Sequence, residues 1–285
     1  MIPAGFEYFA PSSVKEAVAL LSNYKDDVKV LAGGQSLVPL MKLRLAKPRY
    51  VVDLSRIGDL NYIRSAGGAI HIGALATHSE IERSEVILRD CPLLAQTAAT
   101  IADVQVRNRG TLGGSLAHAD PAGDMPAAIL AVDAEMKASG PSGERWIKGE
   151  DFFVGFLTSA LEPDEILTEV KIPVMSGGKS VYLKAAQRAS GFAVVGVAVR
   201  LKLAENGNCG DIAIGITGVT DKAYPAKNVE QTLKGTRLEA EAIERAALRV
   251  VDGVDPLEDI NGAKEYRAHL AKIYTARAIQ AALAS

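Results

Sequence analysis

Two short runs of glycine and hydroxyl residues are where this chain could do chemistry. Ala32-Gly33-Gly34-Gln35-Ser36 follows a short β-branched run and leads into an apolar-periodic segment, all within Val28–Leu45. Leu37, Leu40 and Met41 fall at i, i+3 and i+4 on one face, and Ser36 stands where an N-cap belongs. Pro39 is tolerated there because first-turn amides have no intrahelical partner to lose. The pattern reads as strand, glycine turn, helix. Such a turn gathers unpaired N–H groups and the positive end of a helix dipole into a concavity that suits a phosphate. A glycine pair at this place is also an ordinary turn. The second run, Thr111-Leu112-Gly113-Gly114-Ser115, repeats the same chemistry: hydroxyl, apolar residue, two glycines, hydroxyl. Two such loops can close on one diphosphate from opposite sides. Neither is followed by Gly-Lys-Ser/Thr and neither is G-x-G-x-x-G, which leaves a two-loop dinucleotide clamp as the expectation.

The remaining composition narrows the chemistry. The chain has 285 residues, 48% hydrophobic and 23% charged, with a formal net charge of −2. It can build one large domain or two moderate ones. No run of Lys and Arg is present, so a nucleic-acid partner is not expected. The opening MIPAGFEYFAPSS lacks the pattern of a signal peptide, and the longest apolar runs are too short to span a bilayer; a cytoplasmic chain is expected. Cys91 and Cys209 alone cannot hold an iron–sulfur cluster, which takes about four thiolates. His71, His78, His118 and His269 have no zinc-ligand spacing, and no nucleophile or paired-carboxylate motif is visible. No catalytic side chain and no metal ligand is assigned; the chemistry is expected to lie in a bound organic cofactor.

The elements that must position the loops can be taken in order. Ser13 with Glu16 forms a capping-box pattern before a helix with Val14, Ala17, Val18 and Leu21 on one face. Strand 28–31, the first glycine loop, a helix over 36–45 and a strand at Tyr50–Leu54 make a βαβ-like unit ending near Ser55. Short strands at Asn61–Ser65 and Ala69–Ile72 flank a Gly67-Gly68 turn. Thr77–Leu88 reads as one helix, with His78 a surface or packing residue in its first turn, and Cys91-Pro92 opens a second helix through Ala99. Ile101–Pro126 is rich in small and charged residues, which suggests a binding surface. Asp120 is expected to serve as a helix cap there rather than as a ligand contact. Met125–Ala131 reads as a short helix, Ala134–Ser139 and Glu144–Lys148 as a hairpin, and Glu165–Ile172 as a half-buried strand. Pro173–Gly178 is the expected domain boundary. Beyond it come three strands (Val181–Ala186, Phe192–Ala204 and Asp211–Thr217) and three helices (about 226–234, 238–251 and 263–283).

The sequence resembles the FAD-binding medium subunits of the molybdenum hydroxylases, the group that holds bacterial carbon monoxide dehydrogenase and the flavin domain of xanthine dehydrogenase. The likeness covers nearly the whole chain and is carried most strongly by LAGGQSLVPLMKLRLAKP, IADVQVRNRGTLGGSLAHADPAGDMPA and EILTEVKIP. It implies an α+β fold: a PCMH-type FAD-binding domain over 1–176, in subdomains of about 1–55 and 56–176, then a C-terminal domain over 177–285 with a three-stranded antiparallel sheet and a helical bundle. By this resemblance Ala32, Gly33, Gly34, Gln35 and Ser36, with Leu37 beside them, form the first pyrophosphate loop, and Thr111, Gly113, Gly114 and Ser115 form the second. Ile101 would lie against the isoalloxazine ring, Asp124 would contact the sugar region of FAD, and Leu167 and Lys184 would make further flavin contacts. Gln35 replaces a histidine found in some relatives, which favours non-covalent FAD. Phe192 stands where carbon monoxide dehydrogenases carry a tyrosine, and no role is assigned to it.

The resemblance further implies a heterotrimer, as a dimer of heterotrimers, in which a large subunit holds the molybdenum cofactor and a small one holds 2Fe-2S clusters. This chain would accept electrons from those clusters and pass them to an external acceptor. The complex would be cytoplasmic, or peripheral at the inner membrane. Two rivals are a free-standing FAD-dependent reductase on the same scaffold, which would need its own acid or base beside the flavin, and a cofactor-free assembly subunit with vestigial loops.

Overall fold

The computed structural model describes residues 2–175 and 177–285. Its N-terminal part is a parallel sheet in which Tyr50–Asp53 pairs with Glu7–Phe9 on one side and Val28–Leu31 on the other. The helix Val14–Tyr24 lies between the outer strands in sequence and buries Ala17, Val18 and Leu21. Its Ser13 accepts from Glu16 N as the capping pattern requires, but Glu16 reaches back to Ser12 N, one residue earlier than expected. The helix after the first glycine loop is short, Leu37–Lys42, and Ser36 makes no side-chain cap to it. Arg44, at φ +59°, ends the segment before Leu45.

A five-stranded antiparallel sheet follows in the order Ile63–Ala66, Ala69–Gly73, Ile166–Pro173, Glu135–Gly140, Gly143–Lys148. Ile166–Pro173 is its centre, paired on both edges and buried along most of its length, rather than half-buried as its alternation suggests. The single helix expected over Thr77–Leu88 is two, His78–Arg83 and Glu85–Asp90, with Ser84 extended between them and capping the second. Thr77 and Glu80 complete a capping box on the first. These helices, with Pro92–Ala99 and Met125–Ala131, contribute to the largest core, whose fully buried members include Ile81, Ile87, Leu94, Leu112 and Ile129.

The C-terminal sheet has four strands rather than three: Lys179–Ala186, Ala193–Leu203, Cys209–Thr217 and the two-residue Tyr224–Pro225. Asn206-Gly207 turns the long hairpin, with Gly207 at φ +78°. The helix Lys264–Ala284 packs on this sheet, burying Ala271, Ala278, Ile279 and Ala282. The helix Met125–Ala131 packs against its Ala193–Leu203 and Cys209–Thr217 strands. A Cβ on Gly215 would fall 2.0 Å from Ala127 O, so glycine is what lets that helix touch the strand. The two folded parts are thus joined through a shared core, to which Tyr182 and Ala198 also belong. The boundary expected at residue 176 falls on Ser176, outside the described residues.

Candidate functional site

The two glycine loops meet. A Cβ on Gly33 would lie 2.1 Å from Arg109 O and 2.8 Å from Gly110 Cα, so the first loop rests its backbone against the residues that lead into the second. Gly113 stands in the same relation to Ala74, whose carbonyl accepts from Gly113 N at 2.9 Å. Glycine at these two positions serves close backbone approach. Gly34, at φ +76°, is the one residue of the first pair that needs the left-handed region.

The amides of the loops are used differently. In the second, Gly113 N, Gly114 N and Ser115 N donate to Ala74 O, Thr111 Oγ1 and Thr111 O. Thr111 is a side-chain N-cap on the helix Leu112–His118. In the first, no amide from Gly33 to Leu37 donates to a protein acceptor among the described residues. A row of unpaired N–H groups at the start of a helix fits a phosphate, since such groups otherwise need water or a ligand. The residues present fit a pyrophosphate best on the Gly33–Leu37 side, with Ser115 lining the same cleft.

That cleft has a volume of about 580 Å³, within the range of cofactor sites. Both loops line it, as do Ile101, Asp124 and Leu167. Ile101 is held at a turn where Ala102 has φ +38°; Arg107 donates to Ile101 O at 3.0 Å and pairs with Glu82 at 3.0 Å. Leu167 comes from the central strand and is 4% exposed. Lys184 does not line the cleft. Its ammonium donates to Thr100 O (2.7 Å), Gly191 O (2.7 Å) and Asp124 Oδ2 (3.0 Å), which accounts for all three of its protons. It stands behind Asp124 rather than beside the cleft space. Tyr182 donates to the other oxygen of Asp124 at 2.5 Å. Burial pushes the Asp124 carboxyl above the usual carboxylate range, against the pull of Lys184 and Tyr182.

Asp120 caps no helix: its carboxylate accepts from Ala122 N at 2.9 Å in an Asx turn, and the residue lines the cleft. His78 is a wall of the cleft as well as a packing residue. It is 4% exposed, its Nδ1 has no partner, and burial, with Arg107 nearby, lowers it to about 4. It is therefore a neutral imidazole at neutral pH. The remaining walls come from stretches that no motif marks: Leu157, Leu161 and Pro163 on one side, Ser190, Gly191 and Phe192 on another. Leu157 has φ +49°, so the left-handed residue of this turn is a leucine although Gly155 lies two positions before it. No cluster of His, Cys, Asp or Glu able to hold a metal ion occurs among the described residues.

A family model described as the FAD binding domain in molybdopterin dehydrogenase matches residues 4–175. The chain belongs to that family. A second model, the CO dehydrogenase flavoprotein C-terminal domain, matches residues 180–282. It is 39% identical to the carbon monoxide dehydrogenase medium chain of Hydrogenophaga pseudoflava, with 100% of this chain and 99% of that one covered. It is 36% identical to the glyceraldehyde dehydrogenase medium chain of Sulfolobus acidocaldarius, covering 98% and 99%. Among solved structures it is similar to the Hydrogenophaga pseudoflava carbon monoxide dehydrogenase that lacks the Mo-pyranopterin moiety of the molybdenum cofactor, at TM-score 0.97 and 40% identity over 100% of this chain and 99% of that one. The chain is an FAD-binding subunit of an oxidoreductase, with the mixed helix-and-strand fold of the medium chains.

Proposed function

We propose that this chain is the electron-carrying FAD subunit of a heterotrimeric molybdenum hydroxylase, taking electrons from iron–sulfur clusters on a small partner and delivering them to an external acceptor. The observation that carries this reading is the cleft itself, with unpaired amides from Gly33 to Leu37 at one end and no metal-holding cluster among the described residues. Bound there, FAD would supply the exchange between one-electron centres and a two-electron acceptor. The protein would hold the diphosphate on the first-loop amides, with Ser36 and Ser115 as further donors, and seat the ring against Ile101 and Leu167. Asp124, fixed from behind by Lys184 and Tyr182, would accept from a sugar hydroxyl. Gln35, in place of a histidine that could bond the ring, favours a cofactor held non-covalently. The medium chains it resembles serve enzymes named for carbon monoxide and for glyceraldehyde, which agrees with a substrate pocket on a large partner chain. The assembly would be a dimer of such heterotrimers. No helix among the described residues is long and apolar enough to cross a membrane.

The test is gentle purification of the complex through this chain from its host, with the visible spectrum, iron and molybdenum content and partner chains determined together. Flavin with both metals and two further polypeptides supports the reading. Flavin on a lone, metal-free chain reduced directly by a nicotinamide would replace it with a free-standing reductase. An intact complex without flavin would end it.

A further inference from the structure

The backbone that carries Asp124 is held from the C-terminal domain. Gly218 N donates to Pro121 O at 2.7 Å, and Thr217 Oγ1 lies 2.7 Å from both Pro121 O and Gly123 O. Ala193 N donates to Ala122 O at 3.3 Å. These donors sit where the strands Ala193–Leu203 and Cys209–Thr217 begin and end, and Gly218 turns there at φ +82°. The turn is crowded: a Cβ on Gly218 would lie 2.6 Å from Val194 O and 2.8 Å from Ala193 O.

One buried cation holds this turn. Arg267, on the long C-terminal helix and 3% exposed, sends Nη1 to Val194 O (2.9 Å) and to Gly218 O, and Nη2 to Asp259 at 2.6 Å. Its guanidinium bridges two backbone carbonyls, Val194 O and Gly218 O. Gly218 connects the two halves of the relay: its carbonyl accepts from Arg267 and its amide donates to Pro121.

We infer that Arg267 is a positioning residue for the cofactor cleft, fixing the 120–124 loop and its acid through Gly218 and Thr217. This rests on the FAD reading for its functional side only. By reciprocity, a ligand that orders Asp124 also orders the Gly218 turn.

The test uses the full chain. Amide hydrogen exchange is followed in the flavin-free protein, and FAD affinity is measured by fluorescence titration, for Arg267→Met, Arg267→Lys and Leu233→Ala. Leu233 is buried in the same domain near Cys209, at the far end of the strand from Thr217, and serves as a destabilised control. Arg267→Met is expected to speed exchange over 120–125 and to weaken FAD at least tenfold. Arg267→Lys, able to reach fewer acceptors, is expected to be intermediate in both. Leu233→Ala, at a comparable loss of melting temperature, is expected to leave 120–125 protected and FAD affinity within about twofold. If Arg267→Met does not fold, selective exposure of 120–125 in Arg267→Lys decides the question. Unchanged exchange there in the arginine variants, or an equal effect in Leu233→Ala, overturns the inference. A wild-type chain that fails to bind FAD would defeat the FAD reading, while the exchange measurement would still judge the hold of Arg267 on the loop.

Discussion

Lys184 Nζ lies 3.0 Å from Asp124 Oδ2 with both side chains less than 10% exposed, and neither charge has another ion partner among the described residues. A buried pair of this kind is weak evidence of stability, but breaking it leaves one charge uncompensated. Lys184→Met should therefore destabilise the flavin-free chain by about 3–5 kcal/mol at neutral pH, read from urea unfolding. Without Lys184 the Asp124 carboxyl rises further above its ordinary value. A carboxyl raised in the folded state contributes stability fully below its unfolded value and loses it as pH rises through the folded one. The deficit of Lys184→Met should shrink on acidification, and Asp124→Asn/Lys184→Met should be less destabilised than Lys184→Met. A deficit that does not change with pH would mean that the ammonium acts through Thr100 and Gly191 alone.

Gly33→Ala tests the contact between the two loops. The clash is with the Arg109 carbonyl, which is backbone, so no side chain can move aside and the loops must part. Overpacking of this kind costs about 1–3 kcal/mol, and the parted loops should retain FAD at least tenfold more weakly. Gly5→Ala, where a Cβ meets nothing within 4 Å, is the control and should change neither. Wild-type affinity in Gly33→Ala would show that the loops need not touch to hold the cofactor.

How much of this was legible in the sequence depends on how local each feature is. The strand, glycine turn and helix at 28–42 follow from patterns within a few residues, and so do the Ser13 cap and the Gly67-Gly68 turn. Why the glycines are needed was not legible. Gly33 and Gly113 read as space for a phosphate, yet each accommodates a backbone distant in sequence, Arg109 and Ala74. Ile166–Pro173 alternates like a half-buried strand, but Thr168 bonds Ser139 and Glu169 is engaged by Tyr62 and His71, so the polar positions are satisfied inside the sheet. The three-residue strand Glu7–Phe9 and the two-residue Tyr224–Pro225 are too short to carry a period. Lys184 reads as a flavin contact from its motif, and only the fold shows its three protons engaged elsewhere.

His78 should make the chain acid-sensitive in a defined window. Its imidazole ordinarily titrates near 6.5 and is lowered to about 4 by burial and by Arg107. A group depressed in the folded state contributes stability above its unfolded value and loses it as pH falls through the folded one. Between pH 6.5 and 4 the flavin-free chain should lose roughly 3 kcal/mol from this residue, on top of what its carboxylates contribute. His78→Leu removes both the titration and the unpartnered Nδ1, so its loss of stability over that window should be correspondingly smaller. Parallel acid profiles for wild type and His78→Leu would assign the sensitivity to other groups.

Hydroxyl removal should divide the loop residues, because their hydroxyls are committed differently. Thr111 Oγ1 accepts from Gly114 N at 3.1 Å and caps the helix behind the second loop. Ser36 and Ser115 have hydroxyls with no protein partner among the described residues, and both residues line the cleft. Thr111→Val keeps the shape, leaves Gly114 N unpaired and should cost about 1 kcal/mol of stability, with weaker FAD binding as a consequence; Thr111→Ser should restore both. Ser36→Ala and Ser115→Ala should leave the unfolding midpoint unchanged while each weakens FAD several-fold, since only the bound state uses those oxygens. Urea unfolding of the flavin-free variants beside FAD titration separates the cases. If Ser115→Ala lowers stability and spares affinity, the second loop is a structural brace and the phosphates rest on the first loop alone.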